Sequence, residues 1–413
     1  MRTIDMRLDK EALRAWGYEI ETELKDNILD FWMRYAVAEE QGGFVGEITG
    51  GMVRLPDAPK GLVLNARILW TFSCAYRVYR DDRYLGMARR AYESLRNDFR
   101  DREYGGFYWA VQSGGGAAEP KKQVYGQAFA IYGLTEYYRA TGENEALERA
   151  KELYVLLEKH AYEPVHSGYY EALSRDWTPI EDMSLSGKDY NVPKSMNTHL
   201  HLLEAYTNLY RVWRPEGLRM KLAELIRVHL EKILAPGTGH FKLFFDEDWR
   251  PMSGHVSYGH DIEGSWLLVE AAETLGDEGL LRKAAEEAVV MARSTLAEGT
   301  DANGGIRNET DEDGSSTETK DWWPQAEAVV GFLGAYRLTG EEAFLRAARR
   351  SWAYIDTYIR DDVHGEWHWG VDGKDMPRTG EPKVSAWKCP YHNGRACFEA
   401  IARIESILRE VPR

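Results

Sequence analysis

Cysteine is scarce: Cys74, Cys389 and Cys397 are the only three in 413 residues, an odd number without CxxC or zinc-ribbon spacing. That excludes a disulfide framework and a structural zinc site. No stretch approaches the ~18 consecutive apolar residues of a membrane span. The opening residues, Met1–Trp16, alternate charge and hydrophobe, so no signal peptide is read there. A cytoplasmic location is the expectation. Lys/Arg runs are lacking too, and the net charge of −15 argues against nucleic acid or an anionic membrane as partner. Phosphate-binding glycine motifs are missing, because Gly114-Gly115-Gly116 is not followed by the required pattern. Neither ATP nor NAD is indicated.

What is present is a repeat. A glycine next to, or two before, an aromatic or apolar residue recurs at Gly43-Phe44, Gly106-Phe107, Gly168-Tyr169, Gly239 with Phe241, Gly305-Ile306 and Gly365 with Trp367. The intervals between these glycines are 63, 62, 71, 66 and 60 residues. Such a period points to one repeat domain spanning 1–413 rather than to two or three separate ones.

Amphipathic periodicity predicts a helix over 145–160, where Leu147, Ala150, Leu153, Tyr154 and Leu157 share a face. The same texture returns at 83–98, 217–233, 278–296 and 341–358. A second, more apolar helix follows each glycine, and two of these end alike, at Tyr138–Glu143 and Tyr336–Glu341, with the glycine expected at a helix stop. Each unit is therefore a helical hairpin with a polar outer and an apolar inner helix. Gly105–Val111 and His240–Trp249 alternate in a way suited to small hairpins between them. Periodicity alone leaves an open solenoid and a closed ring equally possible.

Just before or at the start of each inner helix lies a polar cluster: Asn65–Arg67, Val124–Gln127, Asn197–His201, Gly259–Glu263, Trp322–Glu327 and Trp387–Asn393. Ring closure would bring all six to one mouth, with the free N–H groups and positive dipole of the helix starts. Four histidines fall in these clusters: His199, His201, His260 and His392. His199 and His201 are two apart and cannot face the same way on a helix, so one of them packs. His166, His240 and His364 adjoin repeat glycines and read as turn residues, and His160 and His229 read as surface residues of outer helices. His260 and Glu263 share a face, so Glu263 is expected to orient His260.

Three chemistries suit this set. A metal could use His201, His260, His392 and Glu263, but no HxxxH or HExxH pair occurs, and no metal is expected. Glycoside hydrolysis could use two of Asp189, Asp261, Glu263 and Glu327. Proton transfer next to a carbonyl suits histidine, and inversion of a stereocentre needs one base on each face plus a cation for the enediolate; His260, His392 and Arg67 supply these. Trp322, Trp323 and Trp387 in the same clusters could stack on sugar C–H faces.

Four segments, Ser195–Trp213, Ser257–Leu268, Asp321–Leu333 and Trp387–Cys397, closely resemble the cellobiose 2-epimerases of the wider N-acylglucosamine 2-epimerase superfamily, a likeness running from about Gly42 to Ile407. The resemblance implies an all-α (α/α)6 barrel of six helical hairpins with short β-hairpin or loop segments at its mouth. It implies cofactor-independent epimerisation at C2 of the reducing-end glucose of β-1,4-linked disaccharides, cellobiose to glucosyl-mannose and lactose to epilactose. By motif position, the family's proton-transferring histidines fall on His260 and His392 and its third site histidine on His201. Its substrate-binding residues fall on Arg67, Tyr125, Asn197, Glu263, Glu327, Trp323 and Trp387, with Trp322 beside them and Asp189 in the variable preceding loop. A monomer acting on a free disaccharide is expected. Monosaccharide 2-epimerase or aldose–ketose isomerase activity, glycoside hydrolysis and non-catalytic sugar binding remain as alternatives. One departure stands out: Cys389 occupies a position where the family usually has glycine. A left-handed backbone there would strain it and shift the loop carrying His392.

Overall fold

The computed structural model describes residues 9–40, 42–311 and 313–410, so half of the segment scanned for a leader, residues 1–8, lies outside the described residues. The predicted outer helices form: α4 (Asp82–Ser94), α6 (Asn144–His160), α8 (Glu216–Val228), α10 (Glu278–Ser294) and α12 (Glu342–Tyr354). A sixth outer helix comes from α1 (Lys10–Thr22) and α2 (Asp30–Tyr35), joined by a π-helical stretch, Glu23–Leu29. The inner helices are α3 (Leu62–Tyr79), α5 (Val124–Thr141), α7 (Met196–Val212), α9 (Tyr258–Leu275), α11 (Trp322–Thr339) and α13 (His392–Glu410). Among the described residues, no helix is long and apolar enough to cross a membrane.

Hydrophobic patterning explains the two rings. Outer helices carry one apolar stripe, as in α12, whose Phe344, Leu345, Ala348 and Trp352 are buried. Inner helices are buried nearly all round, as α5 is from Val124 to Tyr137. Each inner helix packs on the next, and the last returns to the first: Trp70 of α3 meets Phe398 of α13, ring centroids 6.4 Å apart, and Thr71 Oγ1 donates to the carbonyl of Pro390, just before α13, at 3.0 Å. The ring is closed. The chain is an (α/α)6 barrel.

The six repeat residues each make the same contact. Phe44, Phe107, Tyr169, Phe241, Ile306 and Trp367 form single antiparallel bridges to Val37, Arg100, Tyr162, Leu234, Thr300 and Arg360 at the ends of the outer helices. Glycine is needed where the chain turns back: Gly106 lies at φ 69° and Gly168 at φ 97°. A Cβ there would stand 2.6 Å from Trp177 and 2.5 Å from Trp249. In the fifth unit the left-handed residue is Gly304, one before the glycine of the sequence pattern.

The short strands do more than form local hairpins. Ala110–Val111 pairs with Lys60–Gly61, Ala172–Leu173 with Lys122–Gln123, Phe244–Phe245 with Lys194–Ser195, Glu309–Thr310 with Val256–Ser257, and Gly370–Val371 with Lys320–Asp321. In every case a strand following a repeat glycine pairs with the strand leading into the previous unit's inner helix. The bridge between Ile48 and Val384 is the sixth such link and joins the first unit to the last. Alternation in the sequence marks these strands but cannot say which neighbour they pair with.

Two further readings are corrected. His229 is fully buried rather than exposed, because the end of α8 winds into a π-turn, His229–Ile233, that rotates it inward beside Phe241. Its Nδ1 bonds the Leu225 carbonyl at 2.8 Å. The backbone at Cys389 is not left-handed, so cysteine is accommodated without strain, and its thiol lies buried 4.0 Å from Arg67 Nη1.

Candidate active site

The first turns of the inner helices divide into a structural position and a cavity position. The fourth residue of α5, α7, α9 and α11 reaches outward to the repeat loop: Gln127, His199, Asp261 and Gln325 accept the backbone N–H of Phe107, Tyr169, Phe241 and Ile306 at 2.7–2.9 Å. This settles the His199/His201 pair, since His199 is the packing residue. Asp261 is likewise spoken for, with its other oxygen 2.7 Å from His240 Nδ1. Two residues further on, the sixth position of α3, α5, α7, α9 and α11 points to the barrel axis and holds Arg67, Phe129, His201, Glu263 and Glu327.

The sixth unit adds Arg395 to this layer, a residue the sequence reading passed over. Its guanidinium binds Glu263 at 2.5 Å and Glu327 at 2.7 Å and also contacts Glu204 and the Tyr391 hydroxyl. A signal existed: the Asn393-Gly394-Arg395 of the last unit mirrors the Asn65-Ala66-Arg67 of the first. Glu263, Glu327 and His392 present donor atoms within 4.8 Å of one another, a set that could hold a metal, but Arg395 already places a cation between the two carboxylates.

Above this layer opens a cavity of about 480 Å³. Arg67, Tyr125, Asp189, Asn197, His201, His260, Glu263, Trp322, Trp323, Trp387 and His392 all line it. Glu327 stands behind His392, its Oε1 2.7 Å from Nδ1. Trp369, Glu381 and Ser186 also line the cavity, although the sequence analysis had not singled them out. Ser186 belongs to a strap over the mouth, where its Oγ donates to Asp189 at 2.5 Å and Lys121 Nζ holds the Ser184 carbonyl at 3.2 Å. Arg67 donates to Tyr125 at 2.8 Å and stacks between Phe129 and Tyr391, 4.2 and 4.8 Å from their centroids. Three buried atoms among these residues, Arg67 Nε, Asn197 Oδ1 and Glu263 Oε2, have no protein partner among the described residues.

The three cavity histidines differ in what holds Nδ1. His392 uses Glu327, and His201 uses Glu204 at 3.0 Å. His260 uses the Ser257 hydroxyl at 2.7 Å and not Glu263, because the i,i+3 spacing aligns the two on a face while Arg395 draws Glu263 away. Trp323 lies between two of the rings, its centroid 4.7 Å from His260 and 5.7 Å from His392. Gly259 makes room for it, since a Cβ there would stand 2.5 Å from the indole.

Burial sets the charges. Desolvation, with His201 nearby, lowers His260 to about 3. Desolvation, together with Arg67 and Arg395, pulls His392 well below its ordinary value, and desolvation lowers His201 against the pull of Glu204. All three are neutral at neutral pH and can accept a proton. Burial and mutual repulsion raise Glu263 while Arg395 opposes them; at Glu204, Arg395 and His201 outweigh burial and lower it to about 2. The arrangement offers neutral bases, a fixed cation and aromatic walls in one cavity, which suits proton transfer on a neutral polyol.

The comparisons bear on the family. The family model described as N-acylglucosamine 2-epimerase (GlcNAc 2-epimerase) matches residues 43–396. A cellobiose 2-epimerase from Bacteroides fragilis is 46% identical over 93% of this chain and 98% of its own length, and one from Dictyoglomus turgidum is 39% identical over 96% and 100%. The solved structure of cellobiose 2-epimerase from Bacillus thermoamylovorans superposes with a TM-score of 0.91 at 39% identity, covering 94% of this chain and all of that one. This chain belongs to the N-acylglucosamine 2-epimerase family and is a sugar epimerase, an isomerase.

Proposed function

We propose that the chain epimerises C2 of the reducing-end glucose of β-1,4-linked disaccharides, converting cellobiose to glucosyl-mannose and lactose to epilactose. The observation that carries this reading is the pair His260 and His392, two neutral imidazoles, the first half-buried and the second buried, on either side of Trp323, each with one nitrogen tied and Nε2 left for the cavity. Full-length relatives named cellobiose 2-epimerase support the substrate class.

The sugar opens to its C1 aldehyde inside the cavity. His392 Nε2 takes the C2 proton, the C–H electron pair becomes the C1=C2 bond, and O1 gains the negative charge. Arg67, whose Nε is unpaired and which forms no ion pair among the described residues, stabilises that oxygen. The enediolate's charge in turn favours uptake by His260 of a second proton from bulk water. After rotation about C2–C3, His260 returns a proton to the other face. Glu327 keeps His392 in the tautomer whose Nε2 lone pair faces the substrate, and Trp387 and Trp323 offer stacking surfaces for sugar rings.

The test is a substrate panel of cellobiose, lactose, mannose and N-acetylglucosamine in D2O. The expected result is epilactose and glucosyl-mannose carrying deuterium at C2. Conversion of mannose alone would move the chain to the monosaccharide branch, free glucose from cellobiose would make it a hydrolase, and unlabelled epimer would exclude exchange through the histidines.

A further inference from the structure

Ser257 has no part in the reading above, and its surroundings are unusual. It is fully buried immediately before α9, in the N-cap place, yet its hydroxyl caps nothing there: no side-chain bond to the helix N–H groups is made. Among the described residues its hydroxyl bonds only His260 Nδ1, at 2.7 Å. His201 and His392, the other two cavity histidines, have carboxylates in the same place, Glu204 and Glu327.

The difference has chemical content. A carboxylate only accepts, so it fixes a proton on Nδ1 and strengthens the ring as a base. A hydroxyl accepts from Nδ1–H when the ring is charged and donates to bare Nδ1 when the ring is neutral in the other tautomer, so it holds the same ring orientation in both states. Being uncharged, it retains the second proton less than a carboxylate would. Resting on the two-histidine reading above, we propose that Ser257 is the positioning residue that makes His260 the weaker base of the pair, the one that releases its proton to C2 while His392 extracts one.

In that step His260 carries protons on both nitrogens, the second taken from bulk water, to which His392 later returns the proton it removed, and Nδ1–H donates to Ser257 Oγ. The Nε2 proton passes to C2, the C1=C2 electron pair forms the new C–H bond, and the O1 lone pair restores the carbonyl. His260 is left neutral with Ser257 still in place, and His392 holds the proton it removed.

The test separates this role from a structural one. Cellobiose is incubated in D2O with the wild type, Ser257→Ala and Ser257→Thr, and two rates are followed: epimer formation, which needs both histidines, and deuterium entry at C2 of unreacted cellobiose, which needs His392 alone. The expectation for Ser257→Ala is an epimer rate down about tenfold with exchange into cellobiose retained, so their ratio rises about tenfold. Ser257→Thr, which keeps the hydroxyl, restores the wild-type ratio. A general loosening of the fold lowers both rates together and leaves the ratio unchanged, and that result, or a wild-type epimer rate in Ser257→Ala, overturns the proposal. A wild type that neither epimerises cellobiose nor labels C2 overturns the two-histidine reading, and the role of Ser257 with it.

Discussion

His392 and Arg395, one turn apart on α13, both reach the same oxygen of Glu327: Nδ1 of the one and Nη2 of the other lie 2.7 Å from Oε1. A single carboxylate oxygen therefore couples the proposed base to the cation that neutralises the barrel's acidic layer. Arg395 also binds Glu263 and Glu204, so one side chain ties together helices α7, α9, α11 and α13.

Removing that cation is expected to be costly. Arg395→Leu leaves Glu204, Glu263 and Glu327 buried without their counter-charge, and the expected loss of stability is about 3–5 kcal/mol. Without Arg395 the pKa values of all three carboxyls shift upward, Glu204 from its lowered value and Glu263 and Glu327 from raised ones, so the folded state of the variant is favoured by protonation and its deficit shrinks as pH falls. Thermal melts of both proteins at pH 7 and pH 5 check this, and a gap that widens at pH 5 would contradict it.

Buried histidines give an acid-side signature. Burial lowers His229 to about 4, against 6.5 when exposed. Its folded-state value is depressed, so between these two pH values the unfolded chain binds a proton that the folded chain refuses, and stability is lost as pH falls. Relative to His229→Phe, the wild type should lose about 2 kcal/mol between pH 7 and pH 5. Urea midpoints at the two pH values measure it, and parallel shifts in both proteins would remove His229 from the acid response.

Gly259 can be tested by one methyl group. In Gly259→Ala the new Cβ meets Trp323 at 2.5 Å and Pro324 at 2.9 Å, so the indole must move away from His260. The expected outcome is a fall in kcat/KM of about tenfold or more, since displacement near 1 Å at a reacting group is enough for that. Steady-state kinetics beside a melting curve give the answer; full activity would show that the indole's position is immaterial.

The foot of the barrel should behave differently. There Arg77 pairs with Glu136, Arg211 with Glu270 and Arg337 with Glu273, at 2.5–2.7 Å, each linking neighbouring inner helices near their C-terminal ends. In the second and third pairs both groups are partly exposed, so each of these contributes at most about 1 kcal/mol. Arg211→Met is expected to lower the melting temperature by about 1 °C in a chain of this length and to leave kcat and KM unchanged. A large kinetic effect would mean that the two ends of the barrel communicate.

Much of this was legible in the sequence because it rests on local periodicity. Inner and outer helices differ in how many faces are apolar, and the six Gly-aromatic pairs mark six real bridges. What stayed hidden depends on the choice of partner across the ring. Nothing in the spacing of His260 and Glu263 reveals that one turns to Ser257 and the other to Arg395. The burial of His229 was equally invisible, because an amphipathic count assumes 3.6 residues per turn and the π-turn breaks that count just there. Arg395 was hidden only by its place within a longer motif that drew attention to His392.

The closing link between Ile48 and Val384 has a consequence for the chain as it is made. During synthesis the units emerge in order, and the last brings both His392 and Arg395. Until then Glu204, Glu263 and Glu327 have no arginine to gather around and no reason to leave water. The cavity is thus completed only when the sixth unit emerges, and the same arrival that locks the circle brings the imidazole and the guanidinium in together.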